Sequence, residues 1–267
     1  MGFELHTVSP KEGHTHTHTV IFLHGRDSEC QEFADEFFES EATEPAGQPR
    51  TLGDIFPTFK WVFPGASLIH SERFGVPMSQ WFDIWSVESP SERSGLQHAG
   101  LVESVDYVLK IVDQESAFVP CENIYLGGIS QGFVTAVAAF FAGDRRFAGL
   151  IGLCSWALPA LSGSHENDGS SDNALEGIQA AFGWKTTAVS REKLRSTPIF
   201  LGHAVDDDVV PIENGKALRS SLSAVLGSDI EWHEYQHGGH WINEPEGVDD
   251  IVGFIKNTTK VGFIESM

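Results

Sequence analysis

Asn123-Ile124-Tyr125-Leu126-Gly127-Gly128-Ile129-Ser130-Gln131-Gly132-Phe133-Val134-Thr135-Ala136-Val137-Ala138-Ala139-Phe140-Phe141 is the stretch that decides the architecture of this chain. A short apolar run, Asn123 to Leu126, meets glycines, and an almost wholly apolar stretch of helical length follows from Phe133 to Phe141. The first reads as a buried strand, the second as a helix covered on more than one side. Between them Gly128-Ile129-Ser130-Gln131-Gly132 fits G-x-S-x-G. With 27 glycines in the chain the pattern alone means little. Set between a strand and a helix, it is the setting of a nucleophile elbow, which lifts a serine hydroxyl above the end of a parallel sheet. The bend forces strained backbone angles on the serine, and the flanking glycines let neighbouring backbone pass.

Working outward, short apolar runs alternate with amphipathic stretches. Thr19 to Leu23 reads as a strand that stops at His24-Gly25, and Lys60 to Phe63 as another closed by Pro64-Gly65. Leu150 to Cys154, Ile199 to Leu201 and Ile230 to Tyr235 are later strands. Phe33, Phe37 and Phe38 share a helical face, as do Leu101, Val105, Val108, Leu109 and Val112 between Gly95 and Glu115. Ile212 to Leu226 and Val248 to Asn257 complete the helices. The alternation predicts an α/β protein and the elbow within it the α/β-hydrolase fold, a single domain over 1–267 in three layers around a mostly parallel sheet. Between Trp156 and Thr197 the rhythm breaks into a polar, Gly/Ser-rich loop and a short helix around Leu175 to Phe182. This reads as a loop/helix insertion, either a lid or a surface excursion.

A serine hydroxyl needs a base. In this fold the acid and then the histidine follow on loops after later strands. Ile199 to Leu201 leads into Gly202-His203-Ala204-Val205-Asp206-Asp207-Asp208-Val209-Val210-Pro211, and Trp232 to Tyr235 into Gln236-His237-Gly238-Gly239-His240-Trp241. Adjacent carboxylates cannot all be buried together, so one of Asp206, Asp207 and Asp208 faces inward. Among the histidines, His233 lies within a strand and His237 opens its loop, while His240 follows two glycines and is the expected base. His203 is expected to brace the acid loop.

The formal net charge of −21 repels phosphate backbones and anionic leaflets, which excludes nucleic-acid binding and leaves at most transient membrane contact. Cys30, Cys121 and Cys154 are too few and scattered for a disulfide framework or zinc motif. The N-terminal residues lack the pattern of a secretory signal, and no apolar run approaches a membrane span, so a cytoplasmic location is expected.

Several segments together resemble the phospholipase/carboxylesterase family that includes the acyl-protein thioesterases, particularly its fungal-type members. VIFLHGRDS is similar to the family's first strand and oxyanion loop, FKWVFPGA to its next strand, and MSQWFDIW to its W-F-D motif. IYLGGISQGFVTA matches the nucleophile segment, GLCSWALP the following strand, GHAVDDDVVP the acid loop and HEYQHGGHW the histidine loop. The resemblance implies a serine hydrolase acting on carboxylic esters or thioesters, with Ser130 as nucleophile, Asp207 as acid and His240 as base. It implies oxyanion donors at the backbone N–H groups of Arg26 and Gln131, and no metal or organic cofactor. Trp81, Phe82, Trp85, Trp156 and Leu158 are expected near the acyl pocket, with core packing as the alternative. The chain departs from the family at Arg26, where Leu is usual, and at Ala204, where Gly is usual. The substrate implied is an S-acylated protein, a lysophospholipid or another small-molecule ester; a small metabolic ester, lactone or thioester is the competing picture. Two other classes compete with an enzyme: a metal-binding protein using His14, His16 and His18, and a non-catalytic ligand-binding module on the same fold.

Overall fold

Strand residues with alternating sides separate two apolar layers. In the strand His18–Leu23 (β2), Ile21 and Leu23 face one hydrophobic cluster while Val20 and Phe22 face the other. The computed structural model describes residues 4–143, 145–162, 180 and 191–264. With β2, six strands form the main sheet: β1 (Leu5–Val8), β3 (Phe59–Pro64), β6 (Ile124–Ile129), β7 (Gly149–Leu153), β8 (Ile199–Ala204) and β9 (Glu231–Tyr235). Their order is β1-β3-β2-β6-β7-β8-β9, parallel throughout except for β1 against β3. β4 (Leu68–His70) and β5 (Pro77–Ser79) pair separately as an antiparallel hairpin.

Helices α3 (Gln97–Glu115), α4 (Gln131–Ala142) and α7 (Ile212–Leu226) cover one face through Leu101, Val108, Phe133, Phe140, Leu218 and Leu222. Helices α1 (Cys30–Phe37) and α8 (Glu246–Ile264) cover the other through Phe33, Phe37, Ile251 and Phe254. This is the three-layer α/β-hydrolase arrangement expected from the sequence. Gln131 to Phe141 are all buried, because α4 lies between the sheet and α3. Short helices α2 (Leu52–Ile55), α5 (Pro159–Ser162) and α6 (Arg191–Arg195) complete the described elements. The helix expected around Leu175 to Phe182, and with it the lid reading, lies outside the described residues.

Three differences from the sequence expectation have physical causes. The glycines after Leu126 do not end β6; the strand runs on to Ile129. At Gly127 a Cβ would lie 2.7 Å from the Ile151 carbonyl oxygen and 2.8 Å from the Phe22 ring, so glycine there serves packing inside the sheet. β1 escapes a period-two reading because Leu5 and Thr7 are exposed and its other residues only half-buried. The β4–β5 hairpin is likewise short, with no buried residue in either strand.

The tightest approach to backbone is at the start of α4, where a Cβ on Gly132 would fall 2.3 Å from the Leu23 oxygen and 2.4 Å from that of His24. Gly132→Ala is therefore expected to abolish folding or lower Tm sharply. Gly253→Ala, in α8 with nothing within 4 Å of the new Cβ, is expected to stabilise by up to about 1 kcal/mol through helix propensity. Thermal unfolding of the two variants checks the contrast; equal effects would contradict it.

Candidate active site

Ser130 stands between β6 and α4 with φ 57° and ψ −127°, a conformation that costs a non-glycine residue about 1–3 kcal/mol. The surroundings hold it there: its N–H donates to Leu153 O at 2.9 Å, and Ser155 Oγ donates to its carbonyl at 2.8 Å. Gly128, like Gly132, leaves room that a side chain would fill, with a Cβ only 2.8 Å from Leu23 O.

Beyond the ends of β8 and β9, two loops bring Asp207 and His240 together. Their contact is Asp207 Oδ2 to His240 Nδ1 at 2.8 Å. Asp207 Oδ1 accepts the N–H groups of Val209 and Val210 at 2.9 and 2.8 Å, closing the acid loop around the carboxylate. His203 Nε2 lies 2.9 Å from Val210 O and 3.2 Å from Asp207 Oδ2, so this nitrogen carries the proton and braces the loop. Burial opposes ionisation of Asp207, but the hydrogen bonds from His203 and His240 outweigh it and hold the carboxyl well below the usual carboxylate range. The neighbouring acids point elsewhere: Asp206 is exposed, accepts Gly239 N–H at 2.9 Å and pairs with His237, while Asp208 is exposed. Gly238 (φ 135°) and Gly239 (φ 60°) make the turn that presents His240. His233 is held in β9 between Glu231 and Asp250, away from this pair.

Ser130 and His240 line one cavity of about 520 Å³ with Arg26, Phe33, Phe74, Val209 and Trp241. Among the described residues the Ser130 hydroxyl forms no hydrogen bond to His240, and such contacts are commonly looser before substrate binds. Neither the Arg26 nor the Gln131 N–H donates to a backbone carbonyl among the described residues. Gln131 opens α4, where N–H groups have no intrahelical partner and the helix dipole is positive.

A buried latch fixes the loop that carries Arg26. Trp81 Nε1 donates to His24 O at 2.8 Å, and the Gln131 side chain accepts Trp81 N–H at 2.9 Å and donates to Phe82 O at 2.7 Å. His24 Nε2 accepts Ala66 N–H at 3.0 Å, so its proton sits on Nδ1, which donates to Gly25 O at 2.6 Å. The sequence leaves five side chains between the acyl pocket and core packing. Trp81, Phe82, Trp156 and Leu158 are buried in the core cluster that includes α3 and α4. Trp85 is half-buried, with the Arg93 guanidinium 4.2 Å from its ring centroid. None of the five lines the Ser130 cavity.

Two donor sets bear on metal binding. His16 bonds Thr19 Oγ1 and His18 bonds Thr17 Oγ1, while the His18 ring stacks on Phe59. Cys154, His203 and Asp207 bring three donor atoms within 4.8 Å. There burial pushes the Cys154 thiol up, away from the thiolate a metal needs, and Asp207 is already occupied by its four partners.

The family model described as phospholipase/carboxylesterase matches residues 5–174. The chain belongs to the phospholipase/carboxylesterase family. By that membership it is a hydrolase. A prolyl oligopeptidase family model also matches residues 97–261, from α3 to α8. Acyl-protein thioesterase 1 of Gibberella zeae is 29% identical over 248 residues, covering 90% of each chain. Its counterpart from Yarrowia lipolytica is 26% identical, covering 92% of this chain and 93% of its own. Among solved structures, Zea mays acyl-protein thioesterase 2 superposes with a TM-score of 0.70 at 20% identity, over 96% of this chain and 98% of its own. Arabidopsis thaliana SOBER1 gives 0.67 at 22%, over 91% and 99%.

Within this phospholipase/carboxylesterase family member, sequence reasoning missed the Gln131 side chain and His24 as latch residues, and Phe74, Met78, Val87 and Val209 as cavity lining. Phe74, Met78 and Val87 fall in no motif, and Val209 lies within the acid-loop segment without a chemical signal of its own. His24 had a signal, since a histidine ending a buried strand needs two partners. Burial brings its pKa down to about 4 from the ordinary 6.5. Its contribution to stability is present above about pH 6.5 and lost as pH falls toward 4, because the unfolded chain takes the proton first. Side-chain ¹⁵N NMR at about pH 5 is expected to find His24 neutral and protonated on Nδ1; a titration midpoint near 6.5 would contradict the latch.

Proposed function

We propose that the chain is a serine hydrolase of carboxylic esters or thioesters, with Ser130 as nucleophile, His240 as general base and Asp207 as the orienting acid. The observation that carries this reading is the Asp207–His240 hydrogen bond of 2.8 Å, at a cavity whose wall also holds the strained Ser130. Ser130 Oγ attacks the acyl carbon and gives its proton to His240 Nε2, while Asp207 holds Nδ1–H and stabilises the imidazolium. The oxyanion is bound by the N–H groups of Arg26 and Gln131, each worth about 3 kcal/mol in hydrolases of this type. The C–O or C–S bond then breaks as His240 returns the proton to the leaving group. Water, deprotonated by His240, attacks the acyl-serine; the bond to Ser130 Oγ breaks, His240 returns the proton to Oγ, and the carboxylic acid leaves. Every step uses side chains, backbone and water.

Similarity to acyl-protein thioesterases supports an S-acylated protein as substrate. The mixed cavity lining, with Arg26, Asp27, Glu32 and Glu36 beside Phe33 and Phe74, supports a small ester or thioester as a second picture. Rates on acetyl and octanoyl esters alongside a palmitoylated peptide separate the two.

Ser130→Ala is expected to lower kcat for 4-nitrophenyl butyrate by about 10⁴-fold or more with the circular dichroism spectrum unchanged. A folded variant that keeps wild-type turnover would refute the nucleophile; an inert wild type that binds ligand tightly would favour a binding module.

A further inference from the structure

Phe74, half-exposed in the turn of the β4–β5 hairpin, lines the cavity that holds Ser130 and His240. Two guanidinium groups lie against its ring, Arg26 Cζ at 5.3 Å and Arg73 Cζ at 5.6 Å from the centroid. Each is tethered by one nitrogen to one of two successive carbonyls: Arg26 Nη1 to Ile84 O at 3.4 Å and Arg73 Nη1 to Trp85 O at 2.8 Å. Among the described residues their remaining N–H donors form no hydrogen bond. Among the described residues neither arginine forms an ion pair. That is unexpected in a chain with 38 acidic residues against 17 basic ones, where a cation has carboxylates in excess to choose from. Arg26 is half-buried, and burial together with the nearby positive charge of Arg73 disfavours its charged form, while Asp27 and Asp83 favour it only from beyond ion-pair distance.

Two guanidinium groups gathered at one ring, each with its donors in a fixed plane, offer the fork that a carboxylate or phosphate accepts. An anion there would relieve their mutual repulsion. Glu32 and Glu36 line the same cavity from α1 and would repel that group, which orients a substrate in one direction.

We propose that Arg26 and Arg73 hold an oxyanion group of the substrate, carboxylate or phosphate, so that the enzyme selects esters or thioesters bearing one away from the scissile carbonyl. The inference rests on Ser130 being the nucleophile in this cavity. Mono-4-nitrophenyl adipate against 4-nitrophenyl hexanoate places a carboxylate on the acyl side. Octanoylglycerol 3-phosphate against monooctanoylglycerol places a phosphate on the alcohol side.

The full-length protein is expected to prefer the anionic member of at least one pair by about tenfold or more in kcat/KM, through KM. The pair that shows it identifies where the anion belongs. Arg26→Leu and Arg73→Gln are each expected to collapse that ratio. Because the ratio is taken within each variant, any general loss at residue 26 cancels. Equal or faster turnover of the neutral member in both pairs, or a preference surviving both substitutions, overturns the anion clamp while Ser130-dependent hexanoate hydrolysis stands. Absence of Ser130-dependent turnover on every substrate would defeat the hydrolase reading and this one with it.

Discussion

The crossing of two backbones beneath Ser130 is the constraint from which the site follows. The carbonyl oxygens of Leu23 and His24, at the end of β2, reach so close to the start of α4 that a Cβ on Gly132 would lie within 2.4 Å of both. A helix can begin there only if the chain turns sharply out of β6, and Ser130 absorbs that turn with a positive φ. The same contact brings the loop after β2 alongside the serine, where a Cβ on Gly25 would sit 3.7 Å from that of Ser130. Packing thus holds the loop carrying Arg26 and the start of α4 beside Ser130, and no flexible side chain has to find that arrangement.

The polar groups around this crossing are spent on holding backbone. Trp81, Gln131 and His24 form a buried hydrogen-bonded latch: Trp81 ties its segment to the loop after β2, Gln131 ties the same segment to α4, and His24 ties its loop to Ala66 after β3. Asp207 takes four donors on two oxygens, which keeps it ionised and aims it at His240. Buried polar groups satisfied in this way fix one geometry, because losing any partner strands a desolvated atom. The cavity beside this crossing carries mixed charge, with the Arg26 guanidinium set against the carboxylates of Asp27, Glu32 and Glu36.

Much of this was legible in the sequence where periodicity and motif agree. The strand, elbow and apolar helix from Ile124 to Phe141 could be read because each level of pattern supports the others. Which of Asp206, Asp207 and Asp208 turns inward could not be read from the sequence, since all three have the same chemistry and only the turn that brings Val209 and Val210 N–H onto Asp207 decides. The resemblance pointed to Asp207 on motif spacing, without that turn. Aromatic residues near motifs were ambiguous for a different reason. A tryptophan's area is buried equally well by a core or a ligand pocket, and Trp81 turned out to spend its indole N–H on His24 rather than line the cavity. The hairpin that carries Phe74 and Arg73 left little trace, because short exposed strands have neither apolar period nor special turn residues beyond Gly75.

The account stands on one oxygen atom being the reactive one. Treating the protein with a fluorophosphonate, then digesting it and mapping the adduct by mass spectrometry, addresses that atom directly. One equivalent of phosphonate on the peptide containing Ser130 is the predicted result. An adduct on Ser155 or another serine, with Ser130 unmodified, would contradict it.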